Sequence, residues 1–177
     1  MAKSDEKTSV LPALAGPLAA VPAELQGLLE QPVILHLATR NAAMEPMSVM
    51  AFGLERVGDG RELTVFLAAV VATETLANLR DNGQIALTLV RPTTHLAIQI
   101  KGTWLGERRT DEADRAYLAR YRETTVEELG RVGVPRSVWE RVVWWPVVAL
   151  RMDVREVFVQ TPGAGAGRRC GETGTAQ

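Results

Sequence analysis

Three scarcities narrow what this chain can be. Cysteine occurs once and histidine twice among 177 residues. With Cys170 alone no disulfide can form within the chain, and a reducing cytoplasm is the expected compartment. His36 and His95 have no further ligand at metal-site spacing, so no metal is expected. An excess of charge of one sign is also missing: the formal net charge is −1. That gives no electrostatic basis for nucleic acid or an anionic membrane as partner. Apolar runs stay well short of the ~20 residues that a membrane helix needs. The one apolar stretch near the start, 10–20, is interrupted by Pro12 and Pro17 and preceded by balanced charges, so no signal peptide is expected. Catalytic signatures are missing too. There is no Gly-x-Ser-x-Gly elbow, no phosphate loop ending in Gly-Lys-Ser or Gly-Lys-Thr, and no Cys-x-x-Cys pair. The carboxylate pairs Asp111-Glu112 and Glu127-Glu128 read as solvated helical surface. No catalytic residue can be named, and any redox chemistry would need a cofactor that the protein binds and orients.

What is present is a run of short strands. Val33–Thr39 is almost wholly apolar and reads as a strand buried on both faces. His36, inside it, reads as a satisfied core residue rather than a ligand. Pro46–Leu54 alternates two largely apolar sets, which suits a small barrel wall. Glu62–Ala68 follows the turn Gly58-Asp59-Gly60. Gln84–Val90 and Thr94–Leu105 return to period two, with Leu96, Ile98 and Ile100 facing one way. Gly102 marks a bulge or a close backbone approach. The last strand, Val147–Gln160, changes parity between Val154 and Val157, which predicts a bulge near Arg155.

Helices fill the gaps. Pro22 opens a short helix carrying Leu25, Leu28 and Leu29. Thr73–Asp81 reads as a helix capped by Thr73 and stopped by Asn82-Gly83. Its start is either a plain connection or an anion site made of free amide hydrogens. Asp111–Arg131 is helical, with a restart expected at Thr125 because Glu128 completes a capping box. Ser137 and Glu140 repeat that box for a piece carrying Val138, Trp139, Val142 and Trp145, with the tryptophans as core or interface anchors. Residues 1–20 read as a flexible lead, 21–162 as one domain, and 163–177 as a flexible Gly-rich tail.

The order helix, three strands, short helix, two strands, helical insert, final strand resembles the pyridoxamine 5′-phosphate oxidase-like, flavin-binding split-barrel family. VILHLATRNAAMEPMSVMAFGLE, ELTVFL, ETLANLRDNGQIALTLV and IQIKGTW carry the resemblance, over roughly 22–162. It implies a mainly β, α+β fold: a six-stranded split β-barrel with short helices. It also implies a homodimer that binds flavin mononucleotide (FMN) at its interface and acts as an oxidoreductase on a small molecule. By the same resemblance the cofactor contacts fall near Ser48 and Met50 on the second strand, Ala68 at the end of the third, and Thr73 and Thr75 at the helix start. Gln99 and Lys101 would come from the partner subunit's fifth strand. The chain departs from the family pattern at Glu74 and Thr75, where flavin-binding members carry Lys or Arg; Arg91, Lys101, Arg168 or Arg169 would have to compensate. The alternative is a non-enzymatic binding module that has lost FMN or holds a deazaflavin or haem.

Overall fold

The computed structural model describes residues 13–31 and 34–171. The expectations for 1–12, for Val33 and for 172–177 lie outside the described residues. Six antiparallel strands close into a barrel in the order β1-β2-β3-β6-β5-β4: β1 (Ile34–Arg40), β2 (Pro46–Val57), β3 (Glu62–Ala68), β4 (Gln84–Val90), β5 (Ala97–Arg108) and β6 (Val147–Val159). The ring closes because β1 pairs with both β2 and β4. This is the six-stranded split barrel with short helices that the sequence pointed to.

Period two supplies the core. Leu35 and Leu37 of β1, Leu63, Val65 and Leu67 of β3, Leu87 and Leu89 of β4, Ile98 and Ile100 of β5, and Leu150 and Met152 of β6 all point inward and are buried. Each such side chain contributes roughly 1.5–3 kcal/mol of burial. β1 corrects the expectation of a strand buried on both faces: His36, on its outer face, is exposed. Its reading as a core histidine falls with that.

One bulge between β5 and β6 accounts for both marks in the sequence, Gly102 and Arg155. Lys101 pairs with Glu156 and Gly102 with Val154, so Arg155 is the extra residue. Only glycine fits opposite it: a Cβ on Gly102 would stand 2.2 Å from the Asp153 carbonyl oxygen. β5 starts at Ala97 rather than Thr94, because the chain turns through Arg91–Thr94 and His95 adopts a left-handed φ of 57°.

The helices depart more. α1 is only Ala23–Gln26, with Pro22 in the capping position and Leu25 buried, followed by a single 3₁₀ turn that buries Leu28 and Leu29. α2 (Ala72–Asn82) is entered through a 3₁₀ turn, so Val71 rather than Thr73 is the capping residue, and no side chain caps it. Gly83, at φ 67°, ends it as expected. α3 runs unbroken from Glu112 to Arg131. The Thr125 hydroxyl donates to the Tyr121 carbonyl one turn back instead of capping a new helix. The actual box is Asp111 with Asp114, each carboxylate accepting the other's amide at 3.0 Å. Glu128, read as solvated, is buried and bonded to Thr93 and Arg131. α4 (Arg136–Glu140) starts at Pro135 without the Ser137 box and stops before Trp145.

The described parts of the two segments expected as flexible, 13–20 and 163–171, contact the barrel. A 3₁₀ turn at Gly16–Ala20 buries Leu18 and packs on β6. Residues 163–171 turn back along β6: the Val159 amide donates to the Arg168 carbonyl at 2.9 Å and the Cys170 amide to the Val157 carbonyl at 2.8 Å. They can do so because β3 pairs with β6 only as far as Asp153, leaving that edge of β6 open beyond it.

Candidate functional site

Strand register decides which of the expected residues can meet. Antiparallel partners point to the same face. The outer face of the barrel therefore carries two transverse rows. One runs Met50, His36, Thr88, Gln99, Phe158 across β2, β1, β4, β5 and β6; the next runs Ser48, Ala38, Ala86, Lys101, Glu156. α3 and α4 pack over Phe52, Phe66 and Ala68 and reach Met50, so they border the β2 end of the first row. The rows stay accessible: Ser48, His36 and Lys101 are exposed, and Met50 and Gln99 are half-buried.

Ser48 and Met50 thus share a face with Gln99 and Lys101, but three strands away along the rows. Three inter-strand steps of ~4.8 Å separate them by roughly 14 Å. A single phosphate cannot touch both pairs within one chain. An elongated ligand can span them, as can a ligand shared with a second copy.

The helix-start residues are placed differently. Thr73 and Glu74 are exposed in the first turn of α2. Thr75 is fully buried, its hydroxyl 3.9 Å from the Met47 sulfur. Ala68 is buried in the cluster that contains Trp139 and Val126. Neither side chain is available to a ligand at this helix start. Helix position is fixed from its other end: the Asn78 amide donates to the Thr39 hydroxyl at 3.1 Å and the Asn82 amide to the Arg40 carbonyl at 2.8 Å. Glu74 puts a carboxylate where an anion would approach the free amides, which opposes binding there.

Beside the second row an open groove of about 480 Å³ has Ala38 and Ala86 as its floor. Arg40, Gln84, Lys101, Gly102, Arg155 and Glu156 line it too. Lys101 Nζ lies 4.6 Å from the centroid of the Phe158 ring, an arrangement that holds the ammonium in place. Arg155 bonds Asp153 at 2.8 Å, and Arg169 bonds Glu156 at 3.2 Å. Sequence reasoning missed Arg40 and Arg155; the bulge that aims Arg155 outward was the available signal. Of the cations expected to compensate for Glu74 and Thr75, Arg91 instead donates to the Gly27 carbonyl.

A second charged groove, of about 650 Å³, lies under the start of α3. There Arg108 grips Asp114 with two bonds of 2.7 Å and reaches Glu55 at 3.1 Å. Arg151 grips Glu62 in the same way, at 2.6 and 2.9 Å. The bonds from Arg108 hold the Asp114 carboxyl below the usual range, and those from Arg151 do the same to Glu62. Burial pushes the Tyr117 phenol up to about 12, and its hydroxyl donates to the Leu54 carbonyl. These groups are satisfied by one another. Among the described residues no three His, Cys, Asp or Glu side chains converge as a metal set, and no helix is long and apolar enough to cross a membrane.

No family model and no curated sequence matches the chain. Its fold matches solved structures. HupZ of Group A Streptococcus is 21% identical, with 83% of this chain and 99% of HupZ covered, at a TM-score of 0.50. An F420 reductase is 16% identical, with 77% of this chain and 98% of the reductase covered, at a TM-score of 0.51. At these identities the likeness is one of fold, and the fold is the split barrel of the pyridoxamine 5′-phosphate oxidase-like type.

Proposed function

We propose that this chain is an FMN-binding protein of the split-barrel type that works as a homodimer in the cytoplasm, with flavin-dependent oxidation or reduction of a small molecule as its activity. One observation carries the reading: the two rows set Ser48 and Met50 opposite Gln99 and Lys101 on the accessible outer wall. Those side chains suit a flavin. Met50 and Phe158 offer apolar surface to a planar ring, the Gln99 amide can hydrogen-bond a ring edge, and the Ser48 hydroxyl and Lys101 ammonium suit oxygen acceptors. When bound, the flavin supplies the electron transfer; the residues hold and orient it. The roughly 14 Å between the two pairs favours a ligand that takes Ser48 and Met50 from one copy and Gln99 and Lys101 from the other.

The test is an absorption titration of the purified protein with FMN and with riboflavin. Saturable FMN binding is expected, with riboflavin weaker because it lacks the phosphate. Glu74 and the buried Thr75 leave the helix start without a cation, so little flavin should survive purification. No binding of either flavin overturns the proposal.

A second reading has its own support. Exposed His36 sits beside Met50 on the same row, which gives a haem-type ligand a reachable imidazole. A haem absorption band that His36→Ala abolishes would favour the non-enzymatic binding module. The shared fold with an F420 reductase makes a deazaflavin the third titrant.

A further inference from the structure

We infer that the groove floored by Ala38 and Ala86 is a binding site for the phosphate group of a small ligand, held by Lys101, Arg155 and Arg40. The inference does not rest on the ligand being a flavin. It starts from charge. The chain as a whole is close to neutral at −1, so a local excess of cations is not inherited from overall composition. The groove lining holds three cations, Arg40, Lys101 and Arg155, against one carboxylate, Glu156. Glu156 is itself engaged by Arg169, which reaches in from residues 163–171. The larger groove under α3 makes the contrast. Its lining sets three arginines against Glu55, Glu62, Asp111 and Asp114, and its cations are spent on internal pairs. In the first groove Arg155 is paired too, with Asp153 at 2.8 Å, but Lys101 and Arg40 stand in no ion pair among the described residues and Glu156 is taken up by Arg169, so positive charge is left to offer.

Geometry agrees with charge. Alanine at both floor positions leaves room that longer side chains at 38 or 86 would fill. The bulge at Arg155 breaks the alternation of β6 and turns an additional guanidinium toward the opening. Phe158 holds the Lys101 ammonium beside it. A planar guanidinium and a point-like ammonium together suit a phosphate. The body of the ligand would lie along Ala38 toward Ser48, the other end of the row.

The experiment is a titration of the full-length, isotope-labelled protein with inorganic phosphate and then pyrophosphate, followed by backbone amide shifts. Saturable shifts at Ala86, Lys101 and Gly102 are expected, with pyrophosphate the tighter probe. Lys101→Ala and Arg155→Ala should each weaken binding about tenfold, the loss of one charge-assisted contact. Glu156→Gln should tighten it, and Arg169→Ala should weaken it by freeing the Glu156 carboxylate. Glu156→Gln guards against mere unfolding, because its expected effect is a gain. Shifts confined to Thr73–Thr75, shifts that never saturate, or affinities indifferent to Lys101 and Arg155 would overturn the site. Titration with FMN and riboflavin then separates this inference from the flavin proposal. Phosphate saturating the groove while neither flavin binds keeps the site and removes the flavin; FMN binding that leaves these amides unshifted removes the site and keeps the flavin.

Discussion

At the scale of single residues, two glycines show how one substitution can have opposite signs. A methyl group at Gly102 would collide with the Asp153 carbonyl at 2.2 Å and with the Met152 side chain at 2.8 Å. The carbonyl belongs to the paired strand and cannot move aside. Gly102→Ala should therefore cost about 3 kcal/mol, at the upper end of overpacking, in chemical denaturation. Gly130, in the last turn of α3, has nothing within 4 Å of an added Cβ. Gly130→Ala should stabilise by about 0.5–1 kcal/mol in the same assay. Acid sensitivity also sits in named residues. The carboxyls of Asp114 and Glu62 titrate below their usual values because Arg108 and Arg151 bond them. Each contributes stability that is full above its unfolded-state value and is lost as pH falls through its folded-state value. Stability should thus hold down to roughly pH 4 and fall below it; Asp114→Asn should flatten part of that fall in a pH series of thermal melts. At this scale the sequence was informative wherever a residue has few ways to be used. Gly102, Gly83 and the bulge at Arg155 could all be located in advance. Thr73, Thr75 and Thr125 could not, since a threonine hydroxyl serves as cap, back-bond or buried group with equal ease, and only packing decides among them.

At the scale of elements, strands were legible and helix ends were not. Alternation is imposed on each strand by the barrel interior, so β2 to β6 announce themselves by period two, and β1 by its apolar run. Helix starts depend on one or two hydrogen bonds, and the pattern Thr-x-x-Glu at Thr125 has no more weight than the Asp111-x-x-Asp114 pattern that is actually used. α2 illustrates what local sequence cannot report. Its orientation comes from Asn78 and Asn82, which reach β1 across roughly forty residues of chain. Asn78→Ala leaves the buried Thr39 hydroxyl without its donor and should cost about 1–3 kcal/mol. If α2 sets the height of the outer rows, the same variant should also weaken whatever ligand the wall binds; native-state hydrogen exchange in α2 would report the loosening directly.

At the scale of the whole molecule, the fold was readable from the order of elements, whereas the two-row wall was not. A row is a relation between five strands, and it needs the register of every pair between them. Ser48 and Lys101 stand 53 positions apart in the chain, and only the pairing through Ala38 and Ala86 puts them on one line. The wall also carries the prediction about assembly. An accessible sheet face with half-buried Met50 and Phe158 suits a second copy of the same chain. Light scattering at micromolar concentration should give about twice 19.3 kDa; a monomer that still binds FMN tightly would dissociate the cofactor proposal from the dimer.

The two ends of the described chain come to one place. The 3₁₀ turn at Gly16–Ala20 lies on β6, and a methyl built on Gly171 would stand 3.1 Å from Cβ of Ala20. Seen mechanically, the barrel is hung from a single point. A tether pulled at both ends would load residues 163–171 and the turn first, and would peel the few backbone bonds of 163–171 from β6 one after another. The long ladders between β3, β6 and β5 would feel the load only afterwards. Single-molecule stretching should therefore show a small early extension at low force ahead of the cooperative opening of the barrel. Cutting the chain after Pro162 should erase that first step.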